Sequence, residues 1–176
     1  MFGTKDRTKD IIDSIWDGDY YLVAAREDAP SKAYLKEYAS KNGFKFPKEF
    51  LAHASNFYGG LYLEVKEDIW PRAKEFDVGP FWSFLYGIFT YAFNDDAPDW
   101  MKADLARQEF DEMGHNVIPL LKVIGDADVY CLNQQSEIVK WDHELDEFEK
   151  FEGNFFDLLS YEIKELAERK ERKINA

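Results

Sequence analysis

The chain contains a single cysteine, Cys131, and no long apolar run among its 176 residues. One cysteine excludes an intramolecular disulfide and a cysteine-based metal cluster, and it is typical of a reducing compartment. No stretch reaches the roughly 18 to 20 apolar residues that a membrane-spanning helix needs. Residues 1–10 are polar and charged, so they lack the apolar core of a signal peptide. We therefore expect a cytoplasmic protein with no membrane partner.

Basic residues are outnumbered by acidic ones. The chain has 22 lysines and arginines against 35 aspartates and glutamates, a net charge of −13 at pH 7. This excess disfavours binding to nucleic acid or to an anionic bilayer, because every phosphate would be repelled at long range. A basic protein partner is favoured instead. Apolar residues make up 45% of the chain, which is enough for a buried core, and the length favours one domain.

The sequence has no recognisable catalytic or phosphate-binding motif. GxSxG, GxGxxG, Walker-type and HExxH patterns are missing, and His53, His115 and His143 are not spaced to place two imidazoles on one metal. Cys131 lies in an apolar strand pattern, where a thiol is an inert hydrophobic group. A nucleophilic pair of Cys131 with His143 or His115 is the minor alternative. We predict no enzymatic activity, no cofactor and no metal, since four metal ligands would need carboxylates from distant segments.

Helical periodicity and capping residues predict five helices. The first spans residues 10–17, where Ile11, Ile12, Ile15 and Trp16 form an apolar stripe. The next residues, 19–30, fit either a short strand near 20–24 or an irregular arm. The other four predicted helices begin or end at typical capping residues: Ser31 to Gly43, Pro47 to Gly59-Gly60, Pro98 to Gly114, and a last helix that Asn154 begins.

Apolar runs between the helices predict five strands. They are 61–66, 86–93, 117–124, 128–133 and 137–142. The separators Gly125-Asp126 and 133–136 are hairpin-sized. We therefore expect an α+β domain with a central, mostly antiparallel sheet flanked by N-terminal and C-terminal helices. The domain plan is an N-terminal helix and arm at 1–30, the α+β domain at 31–168 and a basic C-terminal tail at 169–176.

Residues 142–152 hold six acidic side chains and one basic side chain, Lys150. A charged run is most often a solvated face. Here, however, Leu145, Phe148 and Phe151 recur among the acids, a composition that also suits a docking surface for a basic partner. Both interpretations stay open. The candidate partner-binding residues are Asp142, Glu144, Asp146, Glu147, Phe148 and Glu149.

Two segments of the chain carry a family pattern. In residues 34–60 an amphipathic helix is followed by Phe46-Pro47, a Phe50-Leu51 helix and a closing Asn56-Phe-Tyr-Gly-Gly60. In residues 116–159 the motifs are Asn116-Val-Ile-Pro119, Gly125-Asp126, Ile138-Val139, Trp141-Asp-His143 and Asn154-Phe-Phe-Asp-Leu-Leu159. Their order and spacing over residues 31–166 resemble the SUKH superfamily. The most similar branch is typified by the yeast cell-wall-synthesis regulator and is abundant among bacterial immunity proteins.

The resemblance implies an α+β fold, no catalytic activity and, for bacterial members, neutralisation of a cognate toxin by direct binding. Many such toxins are nucleases with basic active-site surfaces, which a chain of charge −13 could approach and cover. The alternative is a cytosolic scaffold or regulatory interaction module of the same fold. A hydrolase that uses His143 or Cys131 is the third hypothesis. The motif residues expected to serve the fold are Pro47, Gly59, Gly60, Pro119, Gly125, Asp126 and Trp141.

Overall fold

The computed structural model describes residues 3–176, which form one seven-stranded sheet and five α-helices. The strands are neighbours in the sheet in their chain order, and all six pairings are antiparallel. They are β1 (Tyr20–Val23), β2 (Tyr62–Val65), β3 (Gly87–Thr90), β4 (Ile118–Val123), β5 (Val129–Leu132), β6 (Ile138–Asp142) and β7 (Glu147–Lys150). The predicted α+β class with a mostly antiparallel sheet is confirmed.

The helices lie before, between and after the strands. They are α1 (Thr8–Asp13), α2 (Lys32–Lys41), α3 (Lys48–Ala54), α4 (Ala103–Glu112) and α5 (Phe155–Ile174). The Ser31 side chain accepts the Tyr34 backbone N–H at 3.1 Å, and Asn154 forms a capping box with Asp157. Both caps satisfy N–H groups that the first helical turn leaves unpaired. No helix within residues 3–176 is long and apolar enough to cross a membrane.

Two apolar cores cover the two faces of the sheet. The larger core joins one face to buried residues of α1, α2, α3 and α5, among them Leu35, Phe50 and Leu159. The smaller core joins strand residues such as Val139 to Phe110 of α4. Because α1 and α5 belong to the same core, the two ends of the chain pack on one side of the sheet.

Close packing explains the glycines of the motifs. A Cβ on Gly59 would lie 2.5 Å from the Ala54 carbonyl oxygen, and Gly60 has a φ of +59°. Gly125 has a φ of +90°, and a Cβ there would lie 2.5 Å from the Phe84 carbonyl oxygen. Residues with a Cβ are disfavoured in the left-handed region and cannot fit such contacts. The two turns therefore need glycine.

The prolines of the motifs also have a structural role. Pro47 lies immediately before α3, where its restricted φ suits the entry to a helix. Pro119 lies within β4, and the register of β4 with β5 shifts between Pro119 and Leu121. Because proline has no N–H for a ladder hydrogen bond, it is accommodated where the pairing is irregular.

Several elements differ from the sequence prediction. α1 ends at Asp13 rather than at residue 17, and α3 ends at Ala54 rather than at Gly59-Gly60. The single helix expected after Pro98 is a short 3₁₀ turn, Asp99–Met101, followed by α4. The break arises because Lys102 is extended and bridges to Ala92 beside β3. The sequence pattern also does not predict β7, which forms by pairing with β6.

Both predicted terminal segments belong to the folded domain. Within the expected helix and arm, residues 20–23 form β1, an edge strand of the sheet; Met1 and Phe2 lie outside the described residues. The expected basic tail at 169–176 is instead the end of α5, which continues to Ile174. Arg169 and Lys170 are only 8% and 2% exposed. Lys170 is buried because its ammonium group is paired with acidic side chains near the N-terminus.

Candidate functional site

The acidic run forms a β-hairpin at one edge of the sheet, which we call the acidic hairpin (residues 138–150). β6 and β7 pair antiparallel, with Trp141 opposite Phe148, and residues 143–146 form the turn. Trp141 and Phe148 pack against the smaller core on the α4 side. Side chains alternate along a strand, so Glu147 and Glu149 point to the other face. Because β7 is the last strand of the sheet, the hairpin has a free outer edge.

Two of the acidic side chains hold the turn in place. One carboxylate oxygen of Asp142 accepts the backbone N–H groups of Glu144 and Leu145 at 2.9 and 3.0 Å. Asp146 has a φ of +54°, a left-handed conformation that Asp adopts more readily than most residues. Asp142 and Asp146 therefore stabilise the turn of the hairpin in the free protein.

Asp146 also ties the hairpin to the rest of the domain. Its Oδ1 accepts a hydrogen bond from the Trp141 indole N–H at 2.9 Å and lies 2.6 Å from His115 Nε2. Both contacts lower the pKa of Asp146, and the hydrogen bond from Trp141 has the larger effect. The half-buried Trp141 ring packs edge-on against Phe110 at 5.1 Å, and His115 packs edge-on against Phe148 at 5.0 Å. Trp141 thus supports the fold from the rim of the smaller core.

The other acids of the acidic hairpin are free. Glu144, Glu147 and Glu149 are exposed and form no ion pair with another residue of the described chain. The turn residue Leu145 is 67% exposed. Lys150, the one base of residues 142–152, is paired at 3.1 Å with Glu137, the residue before β6. Of the predicted partner-binding residues, Glu144, Glu147 and Glu149 are therefore free carboxylates, and the exposed Leu145 side chain lies in the same hairpin. Phe148 is half-buried and packs on the α4 side of the sheet.

His53 is fully buried and joined to two threonines. Its Nδ1 lies 2.8 Å from Thr8 Oγ1, and its Nε2 lies 2.9 Å from Thr90 Oγ1. The Thr8 hydroxyl donates to Asp6 Oδ1 at 2.6 Å, so Thr8 Oγ1 accepts the His53 Nδ1–H, and Nε2 accepts from Thr90. Burial lowers the pKa of His53 to about 3. The imidazole is therefore a neutral core group rather than a catalytic base in contact with solvent.

Cys131 lies in the smaller core and is fully buried. Burial raises the pKa of its thiol well above the ordinary value, and the thiol lies 3.8 Å from the Val129 carbonyl oxygen. Among the described residues, His115 is paired with Asp146 and His143 with Asp128, and neither reaches the thiol. The pairing of Cys131 with His143 or His115, which is the minor alternative from the sequence, is therefore not formed.

A second polar cluster lies at the turn end of the acidic hairpin. His143 Nδ1 is 2.7 Å from Asp128 Oδ1, which also accepts the His143 backbone N–H at 3.0 Å. Asp126 Oδ1 accepts the Asp128 backbone N–H at 3.0 Å. One ligand atom from each of the three side chains lies within 4.8 Å of the other two. Sequence reasoning misses Asp128 as a site residue, because only the pairing of β5 with β6 brings it to His143.

No protein-family model, curated protein or solved structure matches this chain. The SUKH resemblance therefore rests on the motifs within residues 31–166 and stays a prediction.

Proposed function

We propose that this protein is a non-enzymatic binding protein that recognises a basic protein partner through the acidic hairpin. The observation that carries the proposal is the set of free carboxylates at Glu144, Glu147 and Glu149 on a hairpin that also exposes Leu145. Acidic side chains steer a basic partner towards the surface. A desolvated apolar contact with a charged rim then provides the stable complex.

The anchoring of the hairpin supports this function. Asp146 fixes the turn to Trp141 and His115, so little conformational freedom has to be lost when a partner docks. Preorganisation of this kind increases affinity without any added contact. The packing of Trp141 against Phe110 of α4 holds the same part of the hairpin in place.

The partner class follows from the family resemblance together with the charge. We infer a cytoplasmic immunity protein whose target is a cognate toxin with a basic surface, such as a nuclease. A chain of charge −13 is attracted to such a surface at long range. Once bound, it would cover the groove through which the toxin reaches nucleic acid.

Co-expression tests the proposal directly. The toxin candidate is the protein encoded by the reading frame next to this gene, and growth of a host that expresses it is the measurement. We expect the full chain to restore growth. The variant E144Q/E147Q/E149Q should fold but protect poorly, with binding weakened about tenfold or more because close interfacial charge pairs are lost.

The matched control removes the same number of charges elsewhere. Glu67, Asp68 and Glu75 are exposed in the connection between β2 and β3, five strands from β7. The variant E67Q/D68N/E75Q should protect as well as the unmodified chain. If both variants protect equally well, the acidic hairpin is not the surface that binds the partner. A chain that protects from no neighbouring product but forms a stable complex with another cytosolic protein would favour the scaffold alternative.

A further inference from the structure

The cluster at the turn end of the acidic hairpin has the composition of a metal site. It contains one imidazole nitrogen and two carboxylates, from Asp126, Asp128 and His143. We propose that these three side chains bind one divalent transition-metal ion, with Zn²⁺ as the best match. No other set of three such ligands lies close together within residues 3–176.

The fold brings these residues together from two different turns. In the pairing of β5 with β6, Val129 lies opposite Trp141, so Asp128 and His143 lie just beyond the same end of the two strands. Asp126 belongs to the turn after β4 that Gly125 makes possible. From the sequence we predict no metal, because carboxylate ligands would have to come from distant segments. The pairing of β5 with β6 brings such carboxylates close to His143.

The donor positions are close to those that a metal needs. Bonds of about 2.0–2.2 Å to nitrogen and oxygen place the donors of a tetrahedral zinc site about 3.4 Å apart. The three ligand atoms here lie within 4.8 Å of one another, and His143 Nδ1 is 2.7 Å from Asp128 Oδ1. His143 Nδ1 donates its hydrogen to Asp128 Oδ1 in the free protein. Binding through this nitrogen therefore releases that proton to solvent, the metal takes its place, and the three side chains adjust their positions.

The mixture of donors selects the class of ion. Mg²⁺ and Ca²⁺ take oxygen ligands, whereas imidazole nitrogen favours zinc and neighbouring transition metals. The two carboxylates give the cluster a charge of about −2 when His143 is neutral. The single positive charge of the nearby Lys140 does not neutralise the two carboxylates. Three protein ligands leave a fourth position for water or for a donor from a bound partner.

The metal would join the turn after β4 to the turn of the acidic hairpin. This inference goes beyond the proposed function and does not depend on it, because the acids assigned to partner binding, Glu144, Glu147 and Glu149, are not among the ligands. Loss of the metal and loss of partner binding are thus separable by mutation.

Zinc titration of the tag-free, full-length protein tests the inference. ZnCl₂ is titrated in competition with a chromophoric chelator, and Co²⁺ is used in parallel because its visible absorption reports a tetrahedral site with protein ligands. We expect one equivalent of Zn²⁺ to bind. The variants H143Q and D126N should each weaken binding at least tenfold and abolish the Co²⁺ band. D126N keeps an oxygen that can accept the Asp128 backbone N–H.

The control variant is H115Q, which alters the other exposed histidine–aspartate pair. His115 lies 2.6 Å from Asp146 but has no second carboxylate in a comparable set. H115Q should bind Zn²⁺ and Co²⁺ like the unmodified protein. Absence of stoichiometric binding, equal binding by H143Q, or an equal loss in H115Q would each overturn the assignment. Circular dichroism of every variant separates loss of a ligand from loss of the fold.

Discussion

His53 links the stability of the domain to pH through the burial of one imidazole. Its pKa is about 3 in the folded protein and about 6.5 in the unfolded chain. Between these two pH values the unfolded chain binds more protons than the folded protein does. The stability that comes from keeping His53 neutral in the core is therefore complete above about pH 6.5 and is lost as the pH falls. We expect the unfolding free energy to drop by up to about 1.4 kcal/mol per pH unit in this window.

Urea unfolding of the unmodified protein and of H53Q between about pH 7.5 and 4.5 measures this effect. Glutamine keeps one donor and one acceptor for Thr8 and Thr90 but does not titrate. H53Q should be less stable at neutral pH and should lose less stability on acidification. Asp6, whose pKa is raised mainly by burial, titrates in both proteins and cancels in the comparison. Parallel pH profiles would show that His53 takes up no extra proton on unfolding.

Individual residues differ in how well their environment follows from sequence. The buried stripe that contains Phe50 and Leu51 is predicted by helical spacing, because a helix repeats every 3.6 residues. The Asp128–His143 contact is not predicted, since it depends on which strands pair and in which register. The Asp146 contact with His115 likewise joins residues 31 positions apart. Local pattern carries no signal for either contact.

The last turns of α5 illustrate what sequence periodicity misses at the scale of an element. The apolar stripe ends at Leu166, yet Lys170 is 2% exposed, with its ammonium group bonded to Asp17 and 3.1 Å from Asp19. The ammonium group also lies 4.8 Å from the centre of the Tyr20 ring. From sequence, a lysine at the end of a helix is expected to be exposed to solvent. Lys170 is buried instead because Asp17 and Asp19, which are distant in sequence, pair with its ammonium group.

Replacement of Lys170 by methionine tests this contact between α5 and the N-terminal segment. Methionine keeps the apolar stem, while Asp17 and Asp19 lose a charged hydrogen-bond partner but stay partly hydrated. We therefore expect K170M to cost about 1–2 kcal/mol of unfolding free energy at neutral pH, near the lower end for a charged hydrogen bond. Urea unfolding is the measurement.

The control for K170M is K164M on the same helix. Lys164 is exposed and unpaired within the described residues, so its replacement should change stability by less than about 0.5 kcal/mol. The hydrogen bond from Lys170 lowers the pKa of Asp17. The advantage of the unmodified protein over K170M is therefore present at neutral pH and shrinks as acid protonates Asp17. Equal stability of K170M and K164M would mean that the buried ammonium group contributes nothing.

β7 is the strand that the sequence pattern does not predict. Three of its four residues, Glu147, Glu149 and Lys150, are charged, which is unfavourable for a strand by propensity. Pairing with β6 and the packing of Phe148 against the smaller core override that preference. The same charges suit an edge strand, because they oppose unwanted pairing with another sheet. The charge run thus has an architectural role in addition to the proposed binding role.

For the whole molecule, the net charge and the local charge of the acidic hairpin affect association differently. Each of the two triple variants removes three negative charges, which changes the net charge from −13 to −10. Attraction at long range should fall equally in both. We predict that E144Q/E147Q/E149Q slows association with the basic partner more than E67Q/D68N/E75Q does, because its charges lie at the docking surface.

Stopped-flow association rates over a range of salt concentrations separate these contributions. The difference between the variants should be largest at low salt and shrink near 1 M, where the Debye length is only ~3 Å. L145A should leave the association rate nearly unchanged and raise the dissociation rate, because truncation of an apolar contact acts after encounter. Equal association rates for the two triple variants at low salt, with no effect of L145A, would place the docking surface away from β7. The acidic hairpin would then be a solvated edge that protects the sheet.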